Sequence, residues 1–153
     1  MFAKTFGCVP FVYNKILDDR ISSYQESQES MDQSVKYPTP AQYKPEFPFL
    51  KEVDSLALAN AQMNLNKAYA TFFRDKSGGF PKFKSKKEHH HSYTTNNQKE
   101  TVYMENGYIK LPKLKTLVRI KQHRPFSSLI KSVTISKTLT NKYFAAVLVE
   151  ENE

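Results

Sequence analysis

The chain has 153 residues, of which 39% are hydrophobic and 25% charged, a composition typical of one ordinary domain with a buried core. No run of the sequence is long and apolar enough to span a membrane, and the residues after Met1 lack the apolar core of a signal peptide. A single cysteine, Cys8, excludes an internal disulfide framework and a multi-cysteine zinc site. These features predict a cytoplasmic protein.

The formal net charge of +8 is concentrated in the second half of the chain. Residues 1–75 contain 8 basic and 9 acidic side chains, whereas residues 76–153 contain 15 basic and 6 acidic ones. This asymmetry favours a polyanionic partner, and nucleic acid in particular, for the second half. The alternative is that the basic residues merely keep a β-rich half soluble.

The first predicted element is an amphipathic helix that begins near Cys8 or Val9. Pro10 fits its first turn, where the missing N–H costs nothing, and Gly7 is expected to end an earlier helix over residues 2–6. Apolar residues at three- and four-residue steps form the buried stripe of this helix: Val9, Val12, Tyr13, Ile16, Leu17, Ile21 and Tyr24.

Residues 25–53 are predicted to be a linker, because they combine a polar stretch with four prolines and leave room for one short helical turn. Asp54 is then a plausible N-cap for a second helix that ends near Arg74. Its apolar stripe comprises Leu58, Ala61, Leu65, Ala68, Tyr69, Phe72 and Phe73. The two stripes are expected to pack on each other as a helical hairpin.

After a helix-breaking segment at residues 76–79, the hydrophobic period changes to that of strands. Strands are predicted at residues 92–95, 101–104, 108–111, 117–122, 130–137 and 143–150, with a tight turn at residues 105–107. So many short strands predict a small barrel or a curled antiparallel sheet, and therefore an α+β fold.

The most distinctive local segment is GFPKFKSKK at residues 79–87. Pro81 favours an extended backbone, so that lysines can follow phosphates while Phe80 and Phe83 pack inward or stack on bases. A solvated loop leading into the sheet is the alternative. The basic surroundings favour nucleic acid, with these candidate contacts: Lys76, Lys82, Phe83, Lys84, Lys86, Lys87, Arg119, Lys121 and Arg124.

Residues that would support catalysis or metal binding are sparse. Adjacent histidines at residues 89–91 point to opposite faces of an extended chain, and His123 lacks a nucleophile in a recognisable motif. Between Asp75 and Glu150 there are three scattered glutamates, whereas a two-metal nuclease needs converging carboxylates. We therefore expect neither a catalytic site nor a cofactor in this chain.

Six segments in order resemble the OrfB/TnpB family, the RNA-guided DNA nucleases encoded by bacterial insertion sequences. The segments are FGCVPFVYN at residues 6–14, LKEVDSLAL at 50–58, AYATFF at 68–73, GFPKFK at 79–84, NGYIKLPKL at 106–114 and IKSVTIS at 130–136. Each motif alone is weak, but their combined order and spacing are specific. The resemblance extends over essentially the whole chain.

The resemblance implies a helical recognition lobe at residues 1–76, inserted in a wedge-type β-barrel at residues 77–153. It also implies that the first strand of the barrel precedes Met1 and that the RuvC-like nuclease domain follows Glu153. On this reading the chain is a recognition fragment without catalytic residues, and magnesium and zinc belong to the missing domain. Strands left unpaired by the missing one would favour self-association.

The implied partners are a guide RNA and double-stranded DNA carrying a short transposon-adjacent motif, in a bacterial, nucleoid-associated protein. The family's motif-reading surface corresponds here to Ser55, Leu56, Ala59, Thr95 and Asn96. Two positions depart from the family pattern, since Pro10 replaces a usual Arg and Lys115 a usual Gly. The alternatives are a free-standing regulatory DNA- or RNA-binding protein, a non-functional truncated remnant, and an intact nuclease with an unrecognised site.

Overall fold

The computed structural model describes residues 2–30, 38–85 and 91–150. In these residues two α-helices precede six β-strands: α1 Phe2–Ser30, α2 Ser55–Arg74, β1 His91–Asn96, β2 Tyr103–Glu105, β3 Tyr108–Lys110, β4 Val118–Arg119, β5 Ile130–Lys137 and β6 Tyr143–Val149. Short 3₁₀ turns occur at Pro40–Tyr43, Pro48–Glu52 and Lys76–Gly78. The predicted α+β class is confirmed.

Helix α1 runs through both Gly7 and Pro10, so the predicted break at Gly7 is wrong. A proline and a glycine inside a helix cost about 3 and 1 kcal/mol relative to alanine. Packing on either side of them holds the helix together. Phe6 lies 5.6 Å from the ring of Tyr93 in β1, and Val12 and Ile16 are fully buried against the second helix.

Helix α2 begins and ends close to its predicted limits. The Asp54 side chain accepts a hydrogen bond from the Leu56 N–H at 3.0 Å, which confirms its role as N-cap. Beyond Arg74, Gly79 has a φ of 84°, a conformation that favours glycine. Most of the predicted stripe is buried or half-buried, but Phe73 at its end is 69% exposed. Its assignment to the helical core is therefore wrong.

The predicted linker contains ordered structure that packs on the helices. Helix α1 continues to Ser30, and Tyr43, Leu50 and Val53 belong to the same buried cluster as the two helices. The Tyr43 hydroxyl donates a hydrogen bond to the Asp19 carboxylate. Burial, followed by that hydrogen bond, raises the pKa of Tyr43, so the hydroxyl remains a donor at neutral pH.

The strands form two three-stranded antiparallel sheets, in the orders β1-β5-β6 and β2-β3-β4. In the first sheet Thr95 pairs with Val133, and Val133 with Val147. In the second, Asn106 and Gly107 have φ values of 51° and 79°, which confirms the predicted tight turn between β2 and β3. The strand predicted at residues 117–122 is reduced to Val118 and Arg119, which pair with Ile109 and Tyr108 of β3.

The strands do not close into a barrel, because no strand pairing joins the two sheets within the described residues. Their apolar faces instead share one core, which includes Tyr93, Val133 and Ile135 from the first sheet and Ile109 from the second. Phe6 of α1 and Ala57 of α2 enter the same core. These two contacts hold the sheets against the pair of helices.

Candidate nucleic-acid interface

The basic segment after α2, residues 79–85, is docked on α1 by its backbone. The Lys84 N–H donates to Asn14 Oδ1 at 2.7 Å, and Asn14 Nδ2 donates to the Lys84 carbonyl at 2.9 Å. Pro81 is buried, and Lys84 Nζ lies 4.9 Å from the centroid of the Tyr13 ring. The segment is therefore a fixed surface strip rather than a loose loop. Sequence reasoning missed Asn14 as the contact that holds this segment.

Some side chains of this strip contact helix α2, and others are exposed. The Phe80 ring meets the rings of Tyr69 and Phe72 edge-on, at 5.4 Å in both cases. Lys82 and Phe83 are exposed, as is Lys76 at the preceding turn. The strip thus presents cations and phenyl rings together, as the alternation predicted. Lys86 and Lys87 lie outside the described residues.

The remaining basic candidates are carried by the second sheet and the loop beyond it. Arg119 lies in β4, and Lys121 and Arg124 follow it in the chain. All three are exposed. Gln122 Nε2 donates to the Arg124 carbonyl at 2.9 Å and so shapes this loop. These residues form a second basic region, on elements distinct from the strip at residues 79–85.

The two segments implied to read DNA lie against each other. Asn60 Nδ2 donates to the Leu56 carbonyl at 2.9 Å and to the Thr94 carbonyl at 3.0 Å, and so joins the start of α2 to β1. Ser55 is exposed and its hydroxyl accepts a hydrogen bond from Lys44 Nζ at 2.9 Å. Leu56, Ala59 and Asn96 are half-buried.

Thr95 does not share this accessible surface. Its side chain is completely buried on the inward face of β1, and its Oγ1 has no hydrogen-bond partner among the described residues. A ligand cannot reach it in this conformation. The structure therefore gives no support to Thr95 as a contact residue, because strand alternation turns positions 93 and 95 inward and leaves 94 and 96 on the other face.

A buried carboxylate marks the junction between α2 and β1. Asp54 is 5% exposed, and its second oxygen, Oδ2, lacks a hydrogen-bond partner in the described part of the chain. Burial raises the pKa of the Tyr93 phenol, and the Asp54 charge raises it further. The Tyr93 hydroxyl therefore stays neutral at physiological pH.

A cleft of about 510 Å³ lies between the β2–β3 hairpin and residues 122–130. Its lining includes the carboxylates of Glu100 and Glu105 and the rings of Tyr103 and Phe126. Two carboxylates at a cleft repel phosphate. The basic regions, rather than this cleft, are the better candidates for contact with a nucleic-acid backbone.

The described residues contain neither a cluster of metal ligands nor a membrane-spanning helix. Across residues 2–30, 38–85 and 91–150, no group of three or more His, Cys, Asp or Glu side chains is placed to hold a metal ion. His91 packs against the Phe6 ring at 5.7 Å, while His89 and His90 fall outside the described residues. Neither described helix has the length and apolar character needed to cross a bilayer.

Comparison with known proteins gives two findings. The family model HTH_OrfB_IS605, described as a helix-turn-helix domain, matches residues 1–29, most of which lie in the single helix α1. The chain is also 32% identical over 155 aligned residues to a Streptomyces pristinaespiralis protein named "Putative RNA-guided DNA endonuclease". That alignment covers 97% of this chain, which spans 37% of the relative's length.

Proposed function

We propose that this chain belongs to the OrfB/TnpB family and is the N-terminal, nucleic-acid-recognition part of an RNA-guided DNA endonuclease. In this proposal it binds a guide RNA and duplex DNA bearing a transposon-adjacent motif. It acts in the bacterial cytoplasm and associates with the nucleoid. The observation that carries the proposal is the basic strip at residues 79–85, held by Asn14.

The chemistry of the strip suits a phosphate backbone. Lys76 and Lys82 are exposed, and neither forms an ion pair with another described residue. Docking against α1 fixes the backbone of the strip before any ligand arrives, which lowers the entropy lost on binding. Lysines on such a strip neutralise phosphates without regard to sequence.

The junction of α2 and β1 is the proposed DNA-reading surface. Ser55 and Asn96 offer a hydroxyl and an amide, groups that hydrogen-bond to base edges. The bond from Asn60 to the Thr94 carbonyl keeps the two segments in a fixed relation. Thr95 would then support this surface from inside the sheet.

Binding should depend steeply on salt. Affinity for structured RNA and for duplex DNA should fall as salt rises, with a logarithmic slope of roughly −0.9 per neutralised phosphate on duplex DNA. Joint replacement of Lys82, Lys84, Lys86 and Lys87 by Gln should weaken binding to all sequences and flatten that slope. Fluorescence anisotropy over a salt series measures both quantities.

A matched control removes the same charge elsewhere. Lys51, Lys115, Lys131 and Lys142 are all exposed and lie outside the proposed interface. Their joint replacement by Gln should leave most of the slope intact. Equal losses from the two quadruple variants would show that net charge, not the strip, drives binding. Salt-independent binding, or none at low salt, would contradict the proposal itself.

We further propose that these residues bind no catalytic metal or other cofactor and cut no DNA by themselves. The scarcity of carboxylates between Asp75 and Glu150 supports this, because metal-dependent phosphodiester cleavage needs several of them. Incubation with a guide-matched DNA, guide RNA and magnesium should leave the substrate intact. Metal-dependent cutting that disappears on Glu150→Gln or Glu151→Gln would place an active site at the C-terminus instead.

A further inference from the structure

A group of phenyl rings is exposed where α2 ends. Phe73 is 69% exposed and Phe80 44% exposed. Phe72 contacts both rings, at 5.6 Å from Phe73 and 5.4 Å from Phe80. Phe72, Phe73 and Phe80 together are called the aromatic platform below.

The platform packs on a tyrosine ring beneath it. Tyr69, one helical turn before Phe73, stacks on it with ring centroids 6.1 Å apart and an interplanar angle of 26°. The Tyr69 ring also meets Phe80 edge-on at 5.4 Å. The guanidinium carbon of Arg20 lies 3.9 Å from the centroid of the Tyr69 ring. A ring fixed in this way loses little conformational entropy when a ligand stacks on it.

Exposed basic residues lie next to the platform residues in the sequence. Arg74, Lys76 and Lys82 flank its rings, and none forms an ion pair with another described residue. The one neighbouring acid, Asp75, accepts hydrogen bonds from the Ser77 N–H at 3.0 Å and the Ser77 hydroxyl at 2.6 Å. An apolar protein partner would have to desolvate these cations, whereas a phosphate backbone would neutralise them.

We propose that the aromatic platform stacks an unpaired nucleobase of a single strand, while Arg74, Lys76 and Lys82 hold the flanking phosphates. The proposal rests on the proposed function and extends it from paired nucleic acid to an unpaired segment. Aromatic side chains interleaved with cations are the general means of binding single strands without sequence preference. The strand is either RNA or DNA, because both offer the same stacking face.

The test uses the full chain and a short, uridine-rich RNA with one 2-aminopurine, alongside the corresponding thymidine-rich DNA. Stacking quenches 2-aminopurine fluorescence. We expect quenching on binding of at least one of the two strands, and the strand that is quenched identifies the source. The same labelled strand annealed to its complement should show no such change.

Three substitutions at Phe73 separate stacking from apolar contact. Phe73→Ala and Phe73→Leu should both abolish the quenching and weaken single-strand binding about tenfold, since stacking is the interaction lost. Phe73→Tyr should preserve both. The salt slope should stay unchanged in all three, because the phosphate contacts remain. Unchanged quenching and unchanged single-strand affinity in Phe73→Leu would indicate an apolar partner and overturn the proposal.

Phe49→Ala is the matched control. Phe49 is 41% exposed and packs in a ring cluster with Phe11 and Phe47, but outside the basic strip. Its removal should leave quenching intact. Salt-steep binding of duplex DNA and structured RNA without any quenching would refute the platform alone. The absence of any nucleic-acid binding by the unmodified chain would refute the proposed function.

Discussion

Thr95 carries a hydroxyl that the fold buries without satisfying. The side chain has no exposed area, and Oγ1 lacks a partner among the described residues, whereas the neighbouring Thr94 hydroxyl hydrogen-bonds to that of Thr134 at 2.8 Å. An unsatisfied buried hydroxyl costs about 1 to 3 kcal/mol. The two threonines therefore make opposite contributions to stability, although they are adjacent in one strand.

Replacing Thr95 by Val should stabilise the protein by about 1 kcal/mol, because the isosteric methyl group needs no hydrogen bond. Urea denaturation measures the change in the free energy of unfolding. Thr94→Val is the control, and it should destabilise by a similar amount since it breaks the bond to Thr134. Thr95→Val should also leave DNA binding unchanged, and a selective loss of DNA binding would restore Thr95 as a contact residue.

At the scale of elements, α1 is a helix whose own sequence opposes its continuity. Pro10 removes the N–H that would bond to the Phe6 carbonyl, and Gly7 adds backbone entropy. The helix persists because its first two turns pack on the sheet core and the following turns on α2. Tertiary contacts thus override local preference in this element.

Pro10→Ala should raise the free energy of unfolding by roughly 1 to 3 kcal/mol, since it restores a helical hydrogen bond. Thermal unfolding followed by circular dichroism measures this. Pro10→Arg should stabilise the helix by nearly as much, and it introduces the residue usual at this position in the family that the chain resembles. If α1 contacts nucleic acid, Pro10→Arg will tighten nucleic-acid binding and Pro10→Ala will not. A destabilised Pro10→Ala would contradict this expectation and show that the proline ring itself contributes to packing.

At the scale of the whole molecule, the first sheet has one protected edge and one exposed edge. The β1 edge is covered by α2 through the bond from Asn60 to the Thr94 carbonyl. Among the described residues strand β6 pairs with β5 alone, and Tyr143, Phe144 and Leu148 on it are 51%, 52% and 59% exposed. An exposed strand with apolar side chains is a template for pairing with another chain.

We therefore expect self-association through β6, measurable as a concentration-dependent mass in analytical ultracentrifugation. Leu148→Lys should shift the chain towards monomer, because a charge at an edge opposes pairing. Lys131→Leu, an exposed apolar substitution on the central strand β5, should not. Uniform, strong hydrogen-exchange protection across residues 117–149 in a monomer would show that the strands need no further partner.

The sequence by itself determined most of the elements. The three- and four-residue spacing predicted the buried faces of both helices, apart from Tyr24 and Phe73, which are exposed. Asp54 marked the start of α2, and Asn106-Gly107 marked the turn between β2 and β3. The basic strip was also found from the sequence, since alternating Lys and Phe is a local pattern. These predictions succeed because backbone caps, turns and periodicity depend on residues close together in the chain.

Only the tertiary structure decided how those elements meet. Two open sheets formed instead of a barrel, because closure depends on pairing between strands distant in sequence. The burial of Thr95, the exposure of Phe73 and the docking of Lys84 by Asn14, seventy positions earlier, likewise depend on which surfaces come together. Periodicity shows that a face prefers burial, but packing at long range decides what covers it and which side chains remain for a ligand.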